Sequence, residues 1–243
     1  MEINQRIENY IGVMRDIRNS INELQGDRFL SNHKKTLLFS LLETMSKGVY
    51  GDTRNNYTRF EKFINEFCEW EDGKRISVQQ LNLLLEKTEE QDYETLKYYV
   101  RDKLSRYPIS SPVPFKYDPT LEEIKPFLSE DNNKINDVRV DFLSHMGLLW
   151  KFRNTLVHEA RGIGAQDLFD EVVVPHYIHY TQLDRDSDGK VIKKRYWQKL
   201  YPLQFFNYLV DKAISNIEPY LIQNEINPFE KYSFDPLWIE VRN

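Results

Sequence analysis

Three residues whose side chains could act together on a phosphate ester lie close together in the segment 150–161. They are Arg153, Asn154 and His158, at the end of an apolar stretch that stops at Gly162. Arginine presents a planar fork of donors that matches phosphoryl oxygens, and histidine exchanges a proton near neutral pH. We therefore take these three residues as the candidate catalytic group, with phosphate-ester chemistry as the expected reaction.

The helix that would carry this group constrains its geometry. At about 100° per residue, Arg153 and His158 point roughly 140° apart, whereas Asn154 and His158 are about one turn apart on one face. The long arginine side chain could reach round the helix. A second copy of the helix, packed across a two-fold axis, would also gather two arginines and two histidines in one cleft. The sequence therefore predicts a homodimer built around this helix.

The order Arg-Asn-x-x-x-His near a helix end, after an aromatic-rich apolar segment, resembles the signature of the HEPN superfamily. The resemblance implies a helical bundle that dimerises through its motif helices. It also implies a metal-independent endoribonuclease without a cofactor, of the kind found as toxins or in antiviral defence, with Arg153, Asn154 and His158 as its catalytic residues. RNA would be cleaved through its 2′-hydroxyl to leave a cyclic phosphate. The segments 37–49 and 59–64 are similar to the second and third helices of some members.

The spacing between arginine and histidine is weak evidence by itself. Two other pairs, Arg28 with His33 and Arg139 with His145, satisfy it without a following asparagine. Arg28 lies among turn-forming residues, and Arg139 lies inside a predicted helix. A plainer interpretation of the motif also stays open, in which its arginine and histidine are solvated residues of a helix C-terminus, where cations are favoured by the macrodipole.

A second class of function competes with the ribonuclease. A HEPN-like module could keep the motif for dimer packing and recognise a nucleotide or a partner protein, such as a nucleotidyltransferase antitoxin. The net charge of −5 and the pI of about 5.7 favour this alternative, because the protein as a whole does not attract nucleic acid. Any RNA binding must then be local.

Composition also indicates the compartment. The 243 residues contain one cysteine, Cys68, which excludes an intrachain disulfide and agrees with a reducing environment. The N-terminus is charged where a signal peptide would be apolar, and no apolar run approaches the roughly 20 residues of a membrane span. We expect a cytoplasmic protein without a membrane segment.

Apolar residues at steps of three and four predict a mainly α fold, a HEPN-like helical bundle with extra helices and an inserted β-hairpin near the C-terminal end. We expect one elaborated domain over 1–243. Five prolines break regular structure in 107–128, which is predicted to be a linker or insertion. The expected helices span 3–24, 34–49, 57–70, 77–87, 93–104, 137–161 and 203–221, and Ser77 is expected to cap the helix that begins there.

The period changes to two in 172–199, which predicts the β-hairpin insertion, with its turn at 184–189. Its second strand carries Lys193, Lys194 and Arg195 beside two aromatic residues, a mixture that can hold single-stranded RNA. We therefore take these three residues as candidate RNA-binding residues, while a solvated hairpin face remains the alternative.

No metal site is expected. The segment 184–189 imitates the start of an EF-hand loop, but Arg195 occupies the twelfth position, where a bidentate glutamate belongs. His176 and His179 are three apart, which places them on opposite faces of a strand. Because no Gly-rich phosphate loop, His-Glu-x-x-His or Gly-x-Ser-x-Gly occurs, ATP-driven and serine-hydrolase chemistry are also not expected.

Overall fold

The computed structural model describes residues 2–26, 28–53, 55–88, 93–128, 133–165, 172–185 and 189–232. These residues are mainly helical and carry a small antiparallel sheet near the C-terminal end, as the sequence predicts. The chain forms two compact units, a terminal unit (Met1–Glu69 with Phe206–Asn243) and a central unit (Trp70–Phe205). The single domain predicted over 1–243 stays a prediction.

The terminal unit contains the long helices that the apolar periodicity predicts. The helices are α1 (Ile3–Glu23), α2 (Leu30–Tyr50), α3 (Asn56–Phe67) and, over its residues from Phe206 onward, α8 (Leu203–Gln223). Each buries the stripe of residues at steps of three and four, and Phe39 of α2 packs against Phe206 of α8 with ring centroids 4.9 Å apart. A Cβ at Gly48 would lie 2.3 Å from the Tyr10 hydroxyl, so α1 and α2 approach closely at this glycine.

The central unit packs two helices, α4 (Val78–Glu86) and α5 (Glu94–Ser105), around an apolar cluster. The Ser77 side chain caps α4 by accepting a hydrogen bond from the Gln80 backbone N–H at 3.2 Å, as predicted. The cluster joins these helices to later parts of the unit through Leu81, Leu85, Leu96, Val100, Ile124, Ile135 and Val140.

The proline-rich segment 107–128 lies within the central unit. It holds strand β1 (Val113–Pro114) and the short helix α6 (Leu121–Ile124), which begins with a capping box at Thr120. Phe115 within it is fully buried. The prolines break regular structure, but aromatic burial holds the segment against its neighbours.

The motif helix is shorter than the predicted 137–161. Strands β2 (Lys134–Ile135) and β3 (Val138–Arg139) form a tight hairpin, whose two turn residues have positive φ angles of 48° and 61°. Helix α7 (His145–Glu159) begins only after Ser144. The prediction was wrong because apolar residues in a short hairpin and a 3₁₀ turn imitate helical spacing. Arg139 accordingly lies on a strand and not in a helix.

The predicted hairpin is present. Strands β4 (His176–Arg185) and β5 (Val191–Leu200) pair in antiparallel register from His176 with Leu200 to Arg185 with Val191. The predicted turn lies partly outside the described residues, at 186–188. The sheet order is β1-β4-β5, so β5 is the outer strand and its second edge faces other parts of the unit.

Candidate functional site

Helix α7 places the motif at its C-terminal end. The Ser144 hydroxyl caps the first turn by accepting from the Gly147 N–H at 3.1 Å. The helix ends where Ala160 turns into the left-handed region, with φ 52° and ψ 29°, and its N–H bonds the Thr155 carbonyl. Arg153, Asn154 and His158 therefore lie in the last two turns, as the sequence predicts.

The three motif side chains meet within a single chain. Arg153 Nη1 donates to Asn154 Oδ1 at 3.2 Å and lies 3.3 Å from His158 Nε2. The guanidinium also lies over the Trp150 ring, 5.0 Å from its centroid. The arginine thus reaches round the helix, and the 140° divergence of the two Cα positions does not keep the groups apart.

The contact indicates which atom of the imidazole accepts. A guanidinium has only N–H donors, so Nε2 of His158 is the acceptor in this hydrogen bond. A ring nitrogen that accepts a hydrogen bond can also take up a proton. Arg153 and Asn154 are half-buried, while His158 is exposed at the surface. The group is therefore open to a large substrate such as a polymer.

A cleft of about 1030 Å³ lies beside this helix in the central unit. Lys151 and Phe152 of α7 line it, together with one side of α4 and the outer edge of β5, whereas the three motif residues do not. Lys151 and His158 are seven residues apart and so lie on the same side of α7, about two turns from each other. The cleft and the motif therefore use neighbouring parts of one helix.

The loop after the motif returns to the base of the hairpin. The Ala165 N–H donates to the Lys199 carbonyl at 2.8 Å, and Gln79 Nε2 donates to the Trp197 carbonyl at 3.1 Å. Gly164 has a φ of 89°, and a Cβ there would lie 2.3 Å from the Lys199 carbonyl oxygen. The outer edge of β5 is therefore paired near its base.

Lys199 is the deepest cation in the cleft. Its Nζ donates to Gln79 Oε1 at 2.7 Å and lies 5.7 Å from the centroid of the Tyr177 ring. Burial lowers the pKa of this amine from 10.5 to about 7, and the Asp118 carboxylate partly opposes the fall. Near neutral pH the amine can therefore gain or lose a proton according to what the cleft contains.

A fully buried polar cluster centres on Asp118. One carboxylate oxygen, Oδ2, accepts from the Tyr177 hydroxyl and lies 2.7 Å from His145 Nε2, while Oδ1 accepts from the Tyr107 hydroxyl at 2.6 Å. The His145 ring stacks on Phe115 with centroids 3.7 Å apart. Burial lowers the pKa of His145 and raises that of Tyr177. His145 is thus a core residue, distinct from the motif histidine.

The three basic residues predicted to bind RNA are exposed on β5. Arg195 and Lys194 line the cleft, and Lys194 also pairs with Asp184 at 2.7 Å. Lys193 lies further along the strand, outside the lining of the cleft. Two of the three residues therefore line the cleft and the third does not. Their role in RNA binding stays a prediction.

The two histidines of the hairpin, His176 and His179, contact different groups. His176 is buried and its Nδ1 bonds the Val174 carbonyl at 2.7 Å, while the His179 ring contacts Trp197 edge-on. Among the described residues there is no group of three histidine, cysteine or acidic side chains that could hold a metal ion.

The sequence did not indicate that the side chains of Asp118 and Lys199 lie in buried polar contacts. Their partners are 27 and 120 residues away in the chain, so no local pattern indicates them. The only available signal was strand parity: Lys199, Trp197 and Arg195 alternate on β5 and so share one face.

No family model, curated protein or solved structure matches this chain. Within the part of the chain that the structure describes, no helix is long and apolar enough to cross a membrane.

Proposed function

We propose that this protein is a metal-independent endoribonuclease of HEPN type, with Arg153, Asn154 and His158 as its catalytic residues. It would cleave RNA by attack of a 2′-hydroxyl on the adjacent phosphate, as a toxin or antiviral defence effector in the cytoplasm. The observation that carries the proposal is the contact of one guanidinium with both Asn154 and His158 at the open end of α7.

The chemistry follows from the groups. His158 Nε2 takes the proton of the 2′-hydroxyl, whose oxygen attacks phosphorus while the bond to the 5′-oxygen breaks. Arg153 turns from the imidazole to the phosphate and stabilises the negative charge that gathers on its oxygens. Asn154 orients the Arg153 guanidinium by accepting a hydrogen bond from it. The products are a 2′,3′-cyclic phosphate and a 5′-hydroxyl.

The leaving 5′-oxygen needs a proton from a second group. In a homodimer that packs α7 near its two-fold axis, the second copy of His158 can supply that proton. One chain already assembles its own arginine and histidine, so the dimer is needed for the second proton carrier and not for bringing Arg153 to His158.

The test is RNA cleavage by purified protein with and without EDTA, followed by assay of the product ends for cyclic phosphate. His158→Ala removes the proton carrier and should lower the rate by about 10²- to 10⁴-fold. Arg153→Ala should also abolish cleavage. The matched controls are His33→Ala and Arg161→Ala, which remove an exposed histidine and an exposed arginine outside the motif.

His145→Ala is not a suitable control, because His145 is buried and bonded to Asp118. Cleavage that survives His158→Ala, or that EDTA abolishes, would overturn the proposed mechanism.

The second candidate is the binding module that dimerises and recognises a nucleotide or a partner protein, such as a nucleotidyltransferase antitoxin. The net charge of −5 favours it, since a polyanionic substrate is not attracted by the protein as a whole. A folded dimer that cleaves no RNA but binds a nucleotide would support this candidate instead.

A further inference from the structure

The cleft beside α7 has the size of a ligand site. Its volume of about 1030 Å³ is close to the upper limit for small-molecule pockets, which measure roughly 300–1,000 Å³. It follows the outer edge of β5, and so consecutive residues from Lys194 to Lys199 line it even though their side chains alternate between two faces.

The cleft is cationic in an acidic protein. Lys151, Lys194, Arg195 and Lys199 line it, and Glu86 is the one acidic residue among the described lining residues. Lys151 and Arg195 form no ion pair with any residue that the structure describes. Two cations are thus available for an anion, in addition to the amine of Lys199 at the cleft base.

An aromatic ring and a side-chain amide lie next to these cations. Tyr196 is exposed along the cleft and stacks on Tyr180 across the strands, with ring centroids 6.1 Å apart. The side-chain amide of Gln198 makes no hydrogen bond with a described residue, so its donors and acceptor are open to a ligand. An aromatic ring and a free amide are the groups that stack on a nucleobase and bond its edge.

We propose that this cleft binds a nucleotide unit, with its phosphate at Arg195 and Lys199 and its base against Tyr196 and Gln198. The unit is either a free nucleotide or one residue of an RNA strand. Binding of a free nucleotide is independent of the proposed ribonuclease activity, whereas binding of an RNA strand that continues to the motif rests on it. The lowered pKa of Lys199 supports the assignment, because an incoming phosphate restores its proton.

The experiment measures binding in the His158→Ala variant of the full chain, which prevents cleavage. One arm titrates the four ribonucleoside 5′-monophosphates by calorimetry. The other titrates a fluorescent single-stranded RNA of about ten nucleotides by anisotropy. Arg195→Glu is compared with Arg185→Glu, which makes the same charge change on the same hairpin outside the cleft. Tyr196→Ala is compared with Tyr180→Ala, since both remove the same stacked pair.

Arg195→Glu should weaken binding at least about tenfold at low salt and reduce the salt dependence by about one phosphate contact. Tyr196→Ala should weaken it roughly 5- to 150-fold, the range for one stacked base. Each loss should exceed that of its control. The same pattern in both arms identifies a site for free nucleotides and RNA, and the pattern with RNA alone identifies a strand site.

Equal losses in a variant and its control, or no binding in either arm, would overturn the proposal. If the wild-type protein cleaves RNA while either of these results is found, the nucleotide site is refuted but the ribonuclease mechanism is not. The two proposals can therefore fail separately.

Discussion

Replacing Lys199 by methionine should stabilise the protein in acid and destabilise it slightly in base. The ordinary pKa of this amine is 10.5, and burial lowers it to about 7 in the folded chain. Between these values the unfolded chain keeps a proton that the folded chain has lost, so the free energy of unfolding rises with pH over this window. Below pH 7 the amine is charged in both the folded and the unfolded chain, and the folded state bears the full cost of burying that charge.

The magnitude follows from the pKa and from the contacts. A fall in the pKa from 10.5 to about 7 corresponds to roughly 5 kcal/mol, at about 1.4 kcal/mol for each pKa unit. This is an upper limit, because Lys199 is partly exposed to the cleft. Methionine also loses the hydrogen bond to Gln79, which contributes about 1–3 kcal/mol. We therefore expect a net gain of roughly 2 kcal/mol at pH 6 and a loss of roughly 1 kcal/mol at pH 10.

Urea denaturation of wild type and Lys199→Met at pH 6, 8 and 10 measures this difference. Lys193→Met is the matched control, because Lys193 is exposed on the same strand and outside the cleft. The Lys199 charge also helps to lower the pKa of His145, so the variant changes that histidine as well, while the pH dependence of groups away from Lys199 cancels between the two proteins. A stability difference that does not change with pH would refute the reasoning about the buried amine.

Three further predictions concern the surroundings of the site. His145→Ala should lower the free energy of unfolding by about 2–4 kcal/mol in urea denaturation, because it removes the buried bond to Asp118 and a stacked ring, and a loss below about 1 kcal/mol would contradict this. Gly164→Ala should destabilise the protein by roughly 1–3 kcal/mol in thermal denaturation, and by more than Gly189→Ala, which shares a positive φ but meets no atom within 4 Å. Light scattering across micromolar concentrations should show a homodimer, and a strict monomer would remove the second proton carrier.

Local patterns determined most of the secondary structure. Helix α1 was predicted over 3–24 and spans Ile3–Glu23, since apolar residues at steps of three and four can be buried together only on one helical face. The Ser77 cap and the hairpin were also predicted from residues within a few positions of each other. The failure at 137–144 has the same origin, because short strands and 3₁₀ turns carry too few residues to show their period.

For the motif, too, the sequence determines some features and the tertiary structure determines others. Its three residues and their place at a helix end follow from the sequence, because both depend on neighbours within two helical turns. The sequence did not determine whether Arg153 contacts His158, since a flexible side chain with several rotamers could equally have turned to solvent. The surrounding structure selects the conformation in which the guanidinium lies over Trp150.

Only the tertiary structure decided which polar residues lie inside. Asp118, His145 and Tyr177 are 27 to 59 residues apart, and Lys199 meets Gln79 across 120 residues. Sequence periodicity reports what a residue does within its own helix or strand. The burial that lowers the pKa of Lys199, and the cleft that its amine faces, arise only when β5 is laid beside α4 and α7, because desolvation depends on every atom around a group and not on its neighbours in the chain.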